Sequence, residues 1–147
     1  MTVLAAFLRT HQRIYEASRG AVGHRMIGAP TLLLRTTGRR TGKQRTTALV
    51  YAKDEDDSLV VVASNGGANN APAWLHNLKQ DHSIKVQIGR RNFAGKAEVT
   101  DPDHADYARL WMLVNRKARG RYDRYQSQTD RPIELVRLRI HSEPRGK

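Results

Sequence analysis

The sequence predicts one α+β domain, mainly β, built as an antiparallel β-barrel of about six strands with an N-terminal helix and two further helices. Six short segments rich in apolar and β-branched residues are separated by polar or Gly-containing turns, which is typical of a small barrel. Only three segments show apolar residues at helical spacing. The chain has 147 residues without a repeat or linker, so we expect a single domain over residues 1–147.

The first element is an amphipathic helix predicted from Leu4 to about Ser18. Its apolar side is formed by Leu4, Phe7, Leu8, His11, Ile14 and Tyr15. We expect residues 1–29 to form an N-terminal helical segment packed on its own domain, and a helix lying on a membrane surface is the alternative. The apolar run Val3–Leu8 is too short for a signal peptide or a membrane span, so we expect a cytoplasmic protein, with peripheral contact to the inner face of the membrane as the alternative.

Strand signals begin after Pro30. The predicted strands are Thr31–Thr37, Arg45–Lys53, Ser58–Ser64, Ile84–Gly89, Phe93–Thr100 and Ile133–Ile140. The first three are apolar or β-branched runs, whereas the fourth and the last alternate apolar and polar residues, as half-buried strands do. The short connection at residues 89–92 predicts a hairpin between the fourth and fifth strands.

Two helices are predicted between these strands. The first, Asn70–Gln80, has Pro72 near its start. In the second, Asp101 is the expected N-cap and Pro102 occupies the first helical position. Residues at helical spacing in the second helix are expected in the core: Tyr107, Leu110, Trp111 and Val114.

Charge and the absence of cysteine limit the classes of function. Lys and Arg number 26 against 14 Asp and Glu, a net charge of +12, which favours an anionic partner: nucleic acid, an acidic membrane surface or a polyanionic small molecule. With no cysteine, the chain cannot form disulfides, Fe–S clusters or thiolate zinc sites. The six histidines show no ligand spacing, so we expect no metal site.

The stretch TTGRRTGKQRTTALVY, Thr36–Tyr51, concentrates cations in a Gly-containing turn. It is one residue short of the GxxxxGK[ST] spacing of a P-loop, and neither GxGxxG nor GxSxG occurs in the chain. Two interpretations stay open from the residues alone. The turn is either an anion site formed by hydroxyls, backbone amides and guanidinium groups, or a solvated basic hairpin.

Two further motifs favour a binding site. In VASNGGANNAPAWLHNL, Val62–Leu78, a strand end and a Gly pair precede a helix N-terminus, which is a favourable place for phosphate or a polar ring edge. In RKARGRYDRYQSQTDRPI, Tyr122 and Tyr125 lie three residues apart among arginines. Such aromatic residues could stack on RNA bases or cover a flat cofactor.

Four of these motifs resemble signatures of the deazaflavin-dependent nitroreductase family: TTGRRTGKQRTTAL, VASNGG, PAWLHNL and YDRYQSQTDRPI. Members of that family are split β-barrel oxidoreductases that use coenzyme F420. The resemblance covers Thr31–Ile140 and implies the same fold and cofactor here. It also gives the basic excess a specific meaning, because this coenzyme carries a phosphodiester and an oligoglutamate tail.

The resemblance implies a set of cofactor-binding residues. The phosphate and the acidic tail are expected to contact Arg39, Arg40, Thr41 and Arg45, and the linker and ring to contact Thr46, Thr47, Ala48, Leu49 and Val50. The ring is also expected to contact Val62, Ala63, Ser64 and Asn65. Support from the helix start is implied for Ala73, Trp74, Leu75, His76 and Asn77. Tyr122 is implied to cover the ring and to border the substrate pocket. Val50 and Arg119 stand where the family often has aromatic residues, so this wall is expected to select the acceptor.

The function implied is hydride transfer from reduced F420 to a quinone, enone or nitro acceptor. Ser64 and Tyr122 are the candidate catalytic residues, as groups that polarise or protonate the acceptor. Because an ordinary tyrosine has a pKa near 10, we expect Tyr122 to act first as a hydrogen-bonding wall. The alternatives are an FMN-binding split barrel and a basic module that binds RNA or a membrane surface. We expect no specific nucleic-acid partner, and the sequence gives no oligomeric state.

Overall fold

A computed structural model describes residues 25–26 and 29–142 of the chain. In that part, strands form one curled antiparallel sheet, and three α-helices pack against it. The strands are β1 (Arg25–Met26), β2 (Ala29–Thr37), β3 (Gln44–Val50), β4 (Ala52–Lys53), β5 (Leu59–Val62), β6 (Ser83–Ile88), β7 (Arg91–Thr100) and β8 (Leu135–Ser142), and the helices are α1 (Ala73–Gln80), α2 (Tyr107–Lys117) and α3 (Arg121–Gln126). The helix predicted over Leu4–Ser18 lies outside the described residues.

The sheet curls because one segment of chain connects its two ends. The strand order is β1-β2-β6-β7-β8-β5-β4, and β3 pairs with β2. Only Tyr51 separates β3 from β4, so one nearly continuous segment pairs with β2 at one end of the sheet and with β5 at the other. The Tyr51 N–H donates to the carbonyl oxygen of Pro30 at 3.2 Å. The result is the predicted split barrel.

The strand count differs from the prediction at two places. Tyr51 divides the segment predicted as one strand, Arg45–Lys53, into β3 and β4, because the chain leaves β2 there and turns to pair with β5. The strand β1 was not predicted at all. Arg25 and Met26 pair with Pro30 and Ala29. The prediction of a helical segment over residues 1–29 is therefore wrong for these residues, whose backbone groups pair with the start of β2 instead.

The helices begin later than predicted. Asp101 does not cap α2: its carboxylate accepts the N–H of Asp103 at 3.0 Å and so closes a separate turn. The helix starts only at Tyr107, after a second turn in which the His104 ring accepts the Asp106 N–H. The third helix, α3, was not predicted as a separate element. It follows Gly120, whose φ of 81° breaks the path from α2.

Two apolar clusters lie on opposite faces of β5. Leu59 and Val61 belong to the cluster inside the barrel, which α1 covers with Leu75 and other residues. Val60 and Val62 belong to an outer cluster, which α2 and α3 cover. A strand that is buried on both faces has a continuous apolar run and not an alternating one. This explains the SLVVVAS run in the sequence.

A buried carboxylate ties α2 to the sheet. Asp54, which follows β4, has a side chain only 4% exposed and accepts two hydrogen bonds from Arg109 of α2, at 2.7 and 3.0 Å. Arg137 of β8, 7% exposed, lies 3.5 Å from both Asp54 and Asp106. Hydrogen bonding from Arg109 outweighs burial and lowers the pKa of Asp54 below its usual range. The carboxylate is therefore charged at neutral pH.

Candidate active site

The basic hairpin between β2 and β3 is closed by its own backbone. The Gly38 N–H donates to the Lys43 carbonyl and the Gly42 N–H to the Gly38 carbonyl, each at 2.8 Å. The Thr41 hydroxyl accepts the Lys43 N–H at 3.2 Å, so this predicted site residue shapes the turn. Gly42 has a φ of 71°, a conformation that favours glycine. The turn thus has a fixed shape from which its side chains project.

Arg39 anchors the hairpin to α1. Its backbone N–H and its Nη1 atom donate to Asn77 Oδ1 at 3.1 and 3.2 Å, and Nη1 also lies 3.4 Å from the Ala73 carbonyl oxygen. Asn77, 4% exposed, donates through Nδ2 to the hydroxyl of Thr36 at 3.2 Å. The structure therefore places Arg39 and Asn77 as a bridge between the hairpin and the helix start. Thr36 completes this bridge and was not among the predicted residues.

The other cations of the hairpin point to solvent. Arg40, Lys43 and Arg45 are exposed, and none of them has an ion-pair partner within residues 25–26 and 29–142. Exposed guanidinium and ammonium groups without carboxylate partners are suited to phosphate and carboxylate ligands. The hairpin thus fits a polyanionic ligand.

Strand β3 divides the predicted contacts between two faces. Its pairing with β2 puts Thr47 and Leu49 on the face that points into the barrel, where Leu49 packs against the inner cluster; Arg45 follows on the same face near the start of the strand, where its side chain is exposed to solvent. Thr46, Ala48 and Val50 lie on the opposite face, where Ala48 packs with Leu33. A single ligand can therefore contact the side chains of only one of these two sets.

The loop after β5 is concave. Val62 and Ala63 are buried, and Ser64 is 8% exposed with helical angles, φ −77° and ψ −31°. Asn65 is left-handed with a φ of 46°, as are Gly66 and Gly67 at 65° and 84°. A right-handed residue followed by a left-handed one forms a nest of N–H groups that binds anionic or polar acceptors. The Ser64 hydroxyl makes no hydrogen bond to another described residue.

The start of α1 separates core residues from exposed ones. Leu75 is fully buried and Trp74 is 8% exposed, and both belong to the inner cluster. Ala73 and His76 are exposed on the other side of the helix. Arg39 reaches the first residue of α1, and the loop after β5 leads into it. The hairpin thus contacts the start of α1 through Arg39, and residues 68–72 connect this helix to the Ser64–Gly67 loop.

Tyr122 is buried in the outer cluster. It is 7% exposed and packs edge-to-face between Trp111 and Tyr125, with ring centroids 6.5 and 6.2 Å away. Burial raises the pKa of Tyr122 to about 12. Its hydroxyl makes no hydrogen bond within the described part of the chain. At neutral pH Tyr122 is thus a neutral hydrogen-bond donor.

Arg131 holds the loop after β5 and was not among the residues predicted for the site. It lies within the YDRYQSQTDRPI motif and donates to three backbone carbonyls of the loop after β5. Burial lowers the pKa of its guanidinium, although the nearby Glu134 opposes this effect. An arginine remains charged under these conditions. The only sequence signal for Arg131 is its place in the YDRYQSQTDRPI motif, where an arginine among several others carries no pattern of its own.

Two cavities border these elements. One, of about 430 Å³, is lined by Arg35, Thr36, Thr37, Gly42, Gln44, Ser83, Ile84, Lys85, Ala94, Gly95, Lys96 and His141. The other, of about 370 Å³, lies beside α2 and α3 and includes Trp111 and Asp123. None of the predicted cofactor-binding residues lines either cavity.

Among residues 25–26 and 29–142 there is no group of three His, Asp or Glu residues suited to a metal ion. The helices of the same region are too short or too polar to cross a membrane.

The sequence profile of the F420H(2)-dependent quinone reductase family matches residues 7–139. The chain belongs to this family. It is 46% identical over 132 residues to the F420H(2)-dependent quinone reductase Rv1261c of Mycobacterium tuberculosis H37Rv, covering 89% of this chain and 88% of the relative. Membership of the F420H(2)-dependent quinone reductases makes the protein an F420H2-dependent reductase with coenzyme F420 as its cofactor.

Solved structures agree with this assignment. An F420-H2-dependent reductase, FDR-A, superposes with a TM-score of 0.64 at 27% identity, covering 75% of this chain and 94% of that one. A chain described as a domain-swapped dimer superposes with a TM-score of 0.68 at 25% identity, covering 94% of this chain and 100% of its own. The split barrel and the F420 family implied by the motifs are thus confirmed.

Proposed function

We propose that this family member transfers a hydride from F420H2 to a quinone, and that enones and nitro compounds are further acceptor classes. The observation that carries the proposal is the meeting of two features at the start of α1. Arg39 joins the cationic hairpin to that helix, and the concave Ser64–Gly67 loop leads into it. A ligand with an anionic tail and a polar flat ring fits this combination of groups.

Each group has a distinct part in the proposed site. Arg40 and Arg45 bind the phosphate and the acidic tail, because they are exposed and have no carboxylate partner in the described region. The barrel-facing side chains of Thr47 and Leu49 lie along the linker. The N–H groups of Ser64 and Asn65 bind the polar edge of the ring. Bound F420H2 supplies the hydride, and the chain supplies binding and orientation.

Tyr122 and Ser64 bind the acceptor in this proposal. Both hydroxyls lack a hydrogen-bond partner among the described residues, so each can donate to an acceptor oxygen. Tyr122 donates a hydrogen bond without losing its proton, since its pKa is about 12. Val50 and Arg119 remain the proposed side of the pocket that selects the acceptor.

The location of the reaction belongs to the same proposal. We place the protein in the cytoplasm, and contact of the N-terminal segment with the inner face of the membrane is the alternative. The support is the net charge of +12, which anionic lipid surfaces attract.

Removal of the Tyr122 hydroxyl tests the proposed pocket. Tyr122→Phe keeps the ring packing, so we expect the Kd for F420 to stay within about threefold of the wild type. The ratio of kcat/KM for a quinone to that for a nitroaromatic should change by about fivefold or more, as expected for the loss of one hydrogen bond. Because Tyr122 has a pKa of about 12, the variant should keep the wild-type pH profile between about pH 6 and 9.

Tyr107→Phe is the matched control, since it removes a hydroxyl from the same aromatic cluster. That hydroxyl donates to the Ile133 carbonyl and not to the proposed pocket. The control should lower stability and leave the acceptor ratio unchanged. An unchanged acceptor ratio in Tyr122→Phe would show that the acceptor binds elsewhere. Loss of an alkaline limb from the pH profile of the variant would show that Tyr122 is the acid.

A further inference from the structure

Arg131 holds the loop after β5 from one side. Its Nη1 donates to the Ala63 carbonyl at 3.2 Å, its Nη2 to the Ser64 carbonyl at 2.8 Å and its Nε to the Ala68 carbonyl at 2.9 Å. A guanidinium is a rigid planar fork of donors, so three acceptors on one fork fix the relative positions of three peptide groups. The single side chain therefore joins the start of the loop to its end.

These bonds also set the direction of two N–H groups. In a trans peptide the carbonyl of one residue and the N–H of the next point in opposite directions within one plane. The described residues contain no cis peptide. Because Arg131 binds the carbonyls of Ala63 and Ser64, the N–H groups of Ser64 and Asn65 point away from it. Neither N–H has a backbone acceptor within residues 25–26 and 29–142.

Contacts on both sides hold the conformation of the loop. Asn65 has a φ of 46°, a left-handed conformation that asparagine adopts more readily than most residues. The Asn65 side chain donates to the Asn70 carbonyl at 3.0 Å. On the other side, Gly67 packs so closely on α3 that a Cβ there would lie 2.9 Å from the Tyr125 carbonyl oxygen. The two N–H groups are therefore preorganised before any ligand arrives.

Arg131 is itself positioned by α3. Gln126 at the end of that helix donates to the Arg131 carbonyl at 2.8 Å and accepts the Ile133 N–H at 2.9 Å. The same amide group lies 3.3 Å from the Thr129 carbonyl. Gln126 thus fixes the backbone around Arg131 and with it the position from which the Arg131 side chain extends.

We propose that Arg131 is a positioning residue for the cofactor: it orients the Ser64 and Asn65 peptide groups so that their N–H groups bind the polar edge of the F420 ring. The proposal rests on the proposed site and adds a role that none of the predicted residues has. Arg131 itself does not contact the cofactor, and its effect passes through the two peptide planes.

The variant that tests this role is Arg131→Lys, which keeps the charge and removes the fork. An ammonium group cannot hold three separated carbonyls in one plane. We expect the Kd for F420 to rise by about tenfold or more and the KM for F420H2 to rise with it. The KM for the acceptor should change less than the KM for F420H2, because the acceptor meets this loop only through the Ser64 hydroxyl and does not use these N–H groups. Arg116→Lys, the same substitution at an exposed position of α2, should bind F420 like the wild type.

A second measurement uses the wild-type protein and does not depend on how the variant folds. In an NMR titration with F420, the amide signals of Ser64 and Asn65 should be among those that shift most, as free N–H groups do on gaining an acceptor. The positioning role would be overturned if a folded Arg131→Lys variant bound F420 with wild-type affinity. It would also be overturned if the amide signals of Ser64 and Asn65 did not shift in the titration. Failure of the wild type to bind F420 would instead overturn the proposed function.

Discussion

The four cations of the hairpin between β2 and β3 differ in what they contact. Arg39 is half-buried and uses its donors on Asn77 and Ala73, so its first effect is structural. Arg40, Lys43 and Arg45 are exposed and have no ion-pair partner in the described region. The number of positive charges does not reveal this difference in contacts. The contacts decide which arginine is available to a ligand and which holds the loop.

Arg45→Ala should weaken F420 binding without destabilising the protein. Charge-assisted contacts are strong, but exposure and salt reduce them, so we expect a loss of about fivefold. Fluorescence titration at low and high salt measures it, and the loss should be smaller at high salt and with a cofactor that has fewer glutamates. Arg116→Ala, an exposed arginine on α2, is the control for net charge. If Arg45→Ala and the Arg116→Ala control bind F420 with the same affinity, the turn is a solvated basic hairpin and not part of the cofactor site.

At the scale of the elements, the outer helix α2 depends on one carboxylate. Asp54 joins the β4–β5 turn to Arg109 of α2 and lies beside the buried Arg137 of β8. Arg137 also lies 3.5 Å from Asp106 and 3.9 Å from Asp56, so Asp54 is the least exposed of three carboxylates that compensate this buried guanidinium. Because α2 supports the ring of Tyr122 through Trp111, the cluster also stabilises the proposed pocket wall.

Asp54→Asn should lower the free energy of unfolding by about 2–3 kcal/mol at pH 7, because it removes the charge that Arg109 and Arg137 share. Asp57→Asn, three residues away, is the matched control: Asp57 is 83% exposed, and asparagine tolerates its φ of 67°. The folded-state pKa of Asp54 lies below the ordinary value of 3.8, so its stabilisation is complete above that value and is lost as the pH falls through the lowered pKa.

Urea unfolding of both variants between pH 3 and 7 checks this prediction. The difference between Asp54→Asn and the wild type should shrink toward the acid end, whereas the Asp57 control should follow the wild type throughout. Equal stability of Asp54→Asn and the wild type at pH 7 would mean that apolar packing alone holds α2.

Sequence reasoning succeeded for elements whose signal is local. The apolar run of β5 and the alternation of β6 and β8 identified strands, because burial leaves its mark on consecutive residues. It failed where a distant contact decides the outcome. Tyr51 ends β3 because the chain crosses to β5, and the role of Arg131 depends on carbonyls 63 to 68 residues earlier in the chain. Backbone carbonyls have no sequence pattern that could reveal such a contact.

For the molecule as a whole, the curled sheet brings distant segments of the chain to one helix start. The hairpin reaches α1 through Arg39, and the loop after β5 runs into α1 and is held by Arg131. The sheet can curl partly because Gly95 of β7 has no side chain: a Cβ there would overlap the Arg139 carbonyl of β8. The net charge of +12 adds a long-range attraction for a polyanionic cofactor.

The central claim is that this chain binds F420 in preference to a flavin of the same general shape. Fluorescence titration of the wild-type protein with F420 and FMN, side by side at physiological salt, tests it most directly. F420 should bind at least about tenfold more tightly, because three exposed cations exceed what a single flavin phosphate requires, and the excess acts on the acidic tail. Equal or tighter binding of FMN would contradict the account.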